Sequence, residues 1–166
     1  MRVLFYLIWL ILLTVLQPTL ARDIEIFRIA PNLFLCFVIM TSFFRGKTEG
    51  AICGLIFGLV YDLLIGRMIG VNCISYLYVG FGAGWLSEQF FSGGKRIGGV
   101  IGIFCGTLLA AIIYYFTRLS MYHDIRFVTA FFRIGILEAI YNSVIGFLLS
   151  FPILWLMKPF RMEKIS

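Results

Sequence analysis

The chain alternates long apolar runs with short polar interruptions, and the runs have the lengths of membrane-crossing helices. Six can be delimited: Val3 to about Leu20, Ile29 to Phe44, Gly50 to Ile65, Ile69 to about Leu86, Ile97 to Thr117, and about Phe127 to Met157. Each lies near the ~20 residues that carry an α-helix across a bilayer, although the second and third are short and the last is overlong. Hydrocarbon offers no water to backbone N–H and C=O groups, so such runs predict helices that satisfy them internally. The expected architecture is therefore all-α, a single integral membrane bundle of six transmembrane helices over residues 1–166. Gln17 and Pro18 are expected to mark the first helix's exit from hydrocarbon, Pro31-Asn32 to open the second, and Pro152 to bend or end the last. The first run follows Arg2 without a small-residue cleavage pattern before Ala21, which predicts a retained helix rather than a signal peptide.

Two runs carry glycine at four-residue spacing: Gly50, Gly54 and Gly58, then Gly98, Gly102 and Gly106. This spacing gives a helix a smooth face on which a second backbone can pack closely. The first series shares its segment with Asp62, whose neighbours from Gly50 to Gly66 are almost all apolar or glycine. An ionised carboxylate at that depth costs ~3 kcal/mol on insertion scales and survives only facing protein, a cavity or the interface. With the N-terminus inside, helix directions bring Asp62, Asn72 and Glu138 into the outer half of the membrane. Asn142 follows Glu138 by four residues, on the same face as Gly146. One reading is an outward-facing polar pocket or a notch where a partner docks. The other is an internal hydrogen-bond cluster with Arg67 or Arg133 neutralising the carboxylates. Both demand the same burial, and both stand at this point. The pairs Phe43-Phe44, Phe90-Phe91, Tyr114-Tyr115 and Phe131-Phe132 are expected to be interfacial or lipid-facing.

Composition excludes a soluble domain. Hydrophobic residues make up 61% of the chain and charged residues 13%, against about 25% in soluble proteins. Mean hydropathy is +1.01. The net charge of +6 comes from 14 basic residues scattered through short loops, with no basic run of the kind that grips nucleic acid. Anionic lipid is the simpler partner. Eight of the basic residues (Arg2, Arg45, Lys47, Lys95, Arg96, Lys158, Arg161, Lys164) fall on the side of the N-terminus and six (Arg22, Arg28, Arg67, Arg118, Arg126, Arg133) opposite. That bias predicts both termini in the cytoplasm.

Neither a metal nor a cofactor is predicted. Cys36, Cys53, Cys73 and Cys105 form no CxxC pair, and the single histidine, His123, lies far from them. They are expected to be buried free thiols. Ser75 and Ser143 lack a neighbouring base. An Asp62–Glu138 carboxylate pair would lack a nucleophile, a metal and a substrate clamp. The residues point to a protein that is not an enzyme.

The run from Gly54 to Tyr76, GLIFGLVYDLLIGRMIGVNCISY, resembles the central element of the rod shape-determining protein MreD family. The matching positions are Gly58, Leu59, Asp62, Gly66, Gly70 and Asn72. Pro31-Asn32-Leu33 is similar to that family's Pro-Asp-Leu, with asparagine in place of the acid, and Glu138 to Asn142 resembles its final-helix Glu-x-x-x-Asn. The resemblance implies an inner-membrane component of the bacterial cell-elongation complex. It would bind an MreC-like bitopic protein and, through it, MreB and the wall synthase. A six-helix fold shared with substrate-binding subunits of energy-coupling-factor vitamin transporters is also implied, which makes such a subunit the alternative. Those subunits present small residues on their first helix, whereas LFYLIWLILLTVLQ contains neither alanine nor glycine. Whether two copies form a homodimer is left open by the residues.

Overall fold

The structure, a computed structural model, describes residues 2–23, 29–65, 69–90, 95–122 and 135–157. Among these residues the chain forms six helices: α1 Arg2–Asp23, α2 Leu33–Arg45, α3 Lys47–Ile65, α4 Val71–Phe90, α5 Lys95–Tyr122 and α6 Ile136–Met157. Three stretches, Lys47–Ile65, Ile97–Thr117 and Ile136–Leu156, are long and apolar enough to cross a membrane.

The short helix α2 is the axis of the bundle. It touches all five other helices, and every one of its 13 residues except Phe44 is buried. Its boundaries follow from local chemistry. Pro31 cannot supply a backbone N–H, and Asn32 then caps the helix, its Oδ1 accepting from Leu35 N at 3.0 Å. At the other end Gly46 adopts φ +98°, a left-handed conformation that suits glycine, and donates its N–H to Ser42 O at 2.8 Å. The second apolar run thus yields a helix that begins four residues later than the run itself.

Around this axis the packing is aromatic. α1 contributes Phe5, Trp9 and Leu13, all essentially buried. Ring centroids of Trp9 and Phe37 lie 5.1 Å apart, and those of Phe37 and Phe57 lie 4.9 Å apart. Lipid tails are as apolar as these side chains, so close van der Waals fit rather than the hydrophobic effect favours the contacts. α1 nevertheless packs lightly, against α2 and α3, and leaves Val3, Leu4, Leu7, Ile11 and Val15 exposed.

Several helix ends differ from the apolar runs. α1 continues through Gln17 and Pro18 to Asp23. One proline removes one backbone donor, while Thr19 Oγ1 ties back to Val15 O at 2.8 Å. Gln17 does not leave the protein either: its amide donates to Pro31 O and accepts from Leu33 N, both at 2.9 Å. Pro152 likewise sits inside α6, which runs on to Met157, with Ser150 Oγ bonded to Phe147 O at 2.6 Å beside it. Phe43, expected at an interface, is 1% exposed in the core because α2 is surrounded. Phe90 is exposed; Phe91 and the Phe131-Phe132 pair lie outside the described residues. Cys36 and Cys53 are buried free thiols, whereas Cys73 is half-buried and Cys105 exposed.

Candidate functional site

The most extensive helix pairing is the α3–α4 hairpin. Gly50, Gly54 and Gly58 make it so close. A Cβ on Gly58 would lie 2.6 Å from Asn72 O, and one on Gly50 would lie 2.7 Å from Gly80 O. At Gly54 it would collide with the Tyr76 carbonyl. From α4, Gly80 and Gly84 meet the backbones of Gly50 and Lys47 in return. This glycine face is therefore occupied within the chain and is not offered to a second copy. The second series has a different geometry. Gly102 lies against the Phe43 ring, and a Cβ on Gly106 would lie 2.7 Å from Ile39 Cδ1 and 2.8 Å from Val79 Cγ1. Here α5 makes room for bulky side chains rather than for a backbone. Gly98 is buried near the start of α5.

Asp62 stands one turn before the end of α3 and is 1% exposed. Its carboxylate closes the turn into α4. Oδ2 accepts from Gly70 N at 2.8 Å and Cys73 N at 3.0 Å. Oδ1 accepts from Asn72 Nδ2 at 2.8 Å and Asn72 N at 3.2 Å. Gly70 allows the turn, with φ +103°. The charge thus sits on the positive end of α4, where the first N–H groups have no partner within the helix. Buried carboxylates are tolerated when so satisfied.

Asp62, Asn72 and Glu138 line one cavity of about 240 Å³ between α2, α3, α4, α5 and α6. Tyr61, Tyr76, Thr107, Tyr114 and Tyr115 complete most of its polar wall, with Leu35, Ile65, Ala110 and Ala111 between them. Tyr114 and Tyr115 are half-buried and line this cavity. Asn142 sits behind this wall, fully buried. Its Oδ1 accepts from Asn32 N at 2.8 Å, and its Nδ2 donates to Thr107 Oγ1 at 3.3 Å. Gly146, one turn further on, packs against Ile103. The proposed neutralising residues Arg67 and Arg133 lie outside the described residues.

Asn32 is the node that the sequence reading passed over as an ordinary helix start. Besides capping α2 and receiving Asn142, it donates Nδ2 to Tyr76 OH at 2.5 Å. Four helices thus meet at one buried amide network. A second cluster was also missed. Arg45, its side chain 1% exposed, grips Glu49 through Nε–Oε2 at 2.8 Å and Nη2–Oε1 at 2.6 Å, and Tyr6 OH donates to Glu49 Oε2 at 2.8 Å. The four-residue spacing of Arg45 and Glu49 was the available signal. Finally, Glu88 Oε1 accepts from Lys47 N, the start of α3, at 3.2 Å.

Among the described residues no group of three or more His, Cys, Asp or Glu side chains could hold a metal ion. No curated protein and no solved structure matches the chain. The family model described as rod shape-determining protein MreD matches residues 1–160 of the 166. The chain belongs to that family, and with its long apolar helices it is a membrane protein.

Proposed function

We propose that this MreD-family chain is an inner-membrane component of the bacterial cell-elongation machinery, acting as a non-enzymatic scaffold. In this reading it binds an MreC-like bitopic protein and, through it, helps MreB and the wall synthase organise peptidoglycan synthesis. All six apolar segments cross the membrane, the second as α2 together with the residues before it, and both termini lie in the cytoplasm. The observation that carries the reading is the family match over residues 1–160. The chemistry of the interior agrees with it. Buried polar groups are spent on joining helices: Asp62 on α4, Asn32 on Tyr76, Asn142 on Asn32 and Thr107. Such networks fix one arrangement of a bundle that lipid alone would not specify. We assign Asp62, Asn72, Glu138 and Asn142 to one polar region that sets the shape of the face a partner reads. The two glycine series set how closely the helices pack.

The transport reading is less favoured. α1 turns Leu4, Leu7, Ile8, Ile11 and Leu12 outward, bulky side chains that hold a docking helix away. Depleting the protein from its host decides the matter. Rounding of the cells, reversed by re-expression, and co-purification with an MreC-like protein are expected. Depleted cells that stay rod-shaped but lose uptake of a vitamin would overturn the elongation role.

A further inference from the structure

The 240 Å³ cavity has an unusual balance of charge, and that balance identifies what it takes. Its described lining contains two carboxylates, Asp62 and Glu138, and no basic side chain. The two acids are not equivalent. Asp62 is held by four hydrogen bonds from the start of α4, so its charge is absorbed locally. Glu138 stands one helical turn from the neutral Asn142 amide, with no basic side chain in the described lining beside it. Asn72, having turned Nδ2 to Asp62, keeps Oδ1 as a further acceptor on the wall. Tyr76 OH, which accepts from Asn32, remains able to donate.

Three helix N-termini adjoin the cavity, those of α2, α4 and α6, a setting that would ordinarily draw an anion, but at α6 the carboxyl of Glu138 itself stands in the first turn. At α2 and α4 three donors each are already engaged. At α2, Leu33 N goes to Gln17, Leu35 N to Asn32 and Asn32 N to Asn142. At α4, Gly70, Asn72 and Cys73 all donate to Asp62. The ring faces of Tyr61, Tyr76 and Tyr114 favour positive charge through their quadrupoles. Tyr61 and Tyr76 lie side by side, with centroids 5.7 Å apart.

We propose that this cavity is a binding site for an ammonium group, with Glu138 as its counter-charge, Asn72 Oδ1 as a second acceptor and Tyr61, Tyr76 and Tyr114 as an aromatic wall. The volume suits a single small head group and not a helix. Two sources carry that chemistry in a membrane: an aminophospholipid head group and a free small amine.

The test uses the purified full-length protein in nanodiscs and is independent of any cell-shape assay. Native mass spectrometry compares retention of phosphatidylethanolamine with that of phosphatidylglycerol, and thermal unfolding in phosphatidylglycerol discs is followed with added ethanolamine or, as a neutral control, ethylene glycol. Preferential retention of phosphatidylethanolamine identifies the lipid source. Stabilisation by ethanolamine but not ethylene glycol identifies the free amine. In either case Glu138→Gln and Tyr114→Leu should each weaken binding at least tenfold while eluting as monodisperse protein. Equal stabilisation by ethylene glycol, binding unaffected in both variants, or no amine bound by the wild type overturns the proposal. Binding that appears only after Arg133→Gln also overturns it, since the chain would then fill the cavity itself.

Discussion

Asp62 and Glu88 sit at opposite ends of the α3–α4 hairpin, and each caps the helix to which it does not belong. Asp62, on α3, accepts from the first N–H groups of α4; Glu88, on α4, accepts from Lys47 N at the start of α3. The two caps are unequal. Asp62 is buried and takes four bonds, whereas the Glu88 side chain is 33% exposed and pairs with a Lys47 that is 43% exposed. Asp62→Ala should therefore cost roughly 2–4 kcal/mol, and Glu88→Ala no more than about 1 kcal/mol. Thermal unfolding of the two purified variants provides the check. Equal losses would mean that burial does not set the strength of these caps.

Asp62→Asn is not a silent change. The carboxylate accepts at both oxygens, so an amide must turn its NH2 toward backbone N–H donors on one side. A loss of about 1–3 kcal/mol is expected, seen as lower abundance and an earlier melting transition. Wild-type stability in this variant would show that neither the negative charge nor the second acceptor oxygen is needed here.

The glycine contacts predict a contrast within one hairpin. Gly54→Ala places a methyl group against the Tyr76 carbonyl, whereas a Cβ on Gly82 has nothing within 4 Å. Gly54→Ala should destabilise by about 1–3 kcal/mol even after alanine's helical advantage. Gly82→Ala should be neutral or stabilising by up to about 1 kcal/mol. Fluorescence-detected gel filtration after a temperature ramp measures both, and similar behaviour would remove the close-packing account.

At position 32 the acid that the family resemblance leads one to expect should be tolerated. Asn32→Asp keeps the cap on Leu35 N, and the Tyr76 hydroxyl can reverse from acceptor to donor. A change within about 1 kcal/mol is expected. Asn32→Leu removes the cap and leaves Tyr76 unpaired, at a cost of roughly 2–3 kcal/mol. If the aspartate proves as damaging as the leucine, the hydroxyl is not free to reverse.

Topology is open to direct measurement. In a cysteine-free background, a cysteine at position 166 should react with a membrane-impermeant maleimide only after lysis, and one at position 122 in intact cells. Labelling of position 166 from outside would invert the proposed orientation.

How far the sequence reaches is clearest from individual residues. The start of α2 was legible because Pro31 and Asn32 act locally, whereas its end at Gly46 was not read. That Asp62 is exceptional was legible too, since nothing around it is polar. Its occupation by four donors was not, because that depends on how the chain turns between Ile65 and Val71. Asn32 looked ordinary because its partners, Tyr76 and Asn142, are 44 and 110 residues away. Phe43 was assigned to lipid or an interface because an apolar run does not say which of its faces meets protein when no water marks the outside. Pro152 does not end α6, because one missing hydrogen bond does not stop a helix whose neighbours hold it.

The length of α2 has a consequence for how such a protein can change. At 13 residues it rises about 20 Å, short of the ~30 Å of hydrocarbon its neighbours must match. Asn32 and Leu35, at its first turn, line the cavity. The chamber thus lies at the start of the central helix, walled by residues of α3, α4, α5 and α6. One extra turn at the start of α2 would plug it, and one turn fewer would deepen it. Either change would displace Asn32 from Tyr76 and Asn142, so the depth of the chamber and the joining of α2, α4 and α6 are set at one position.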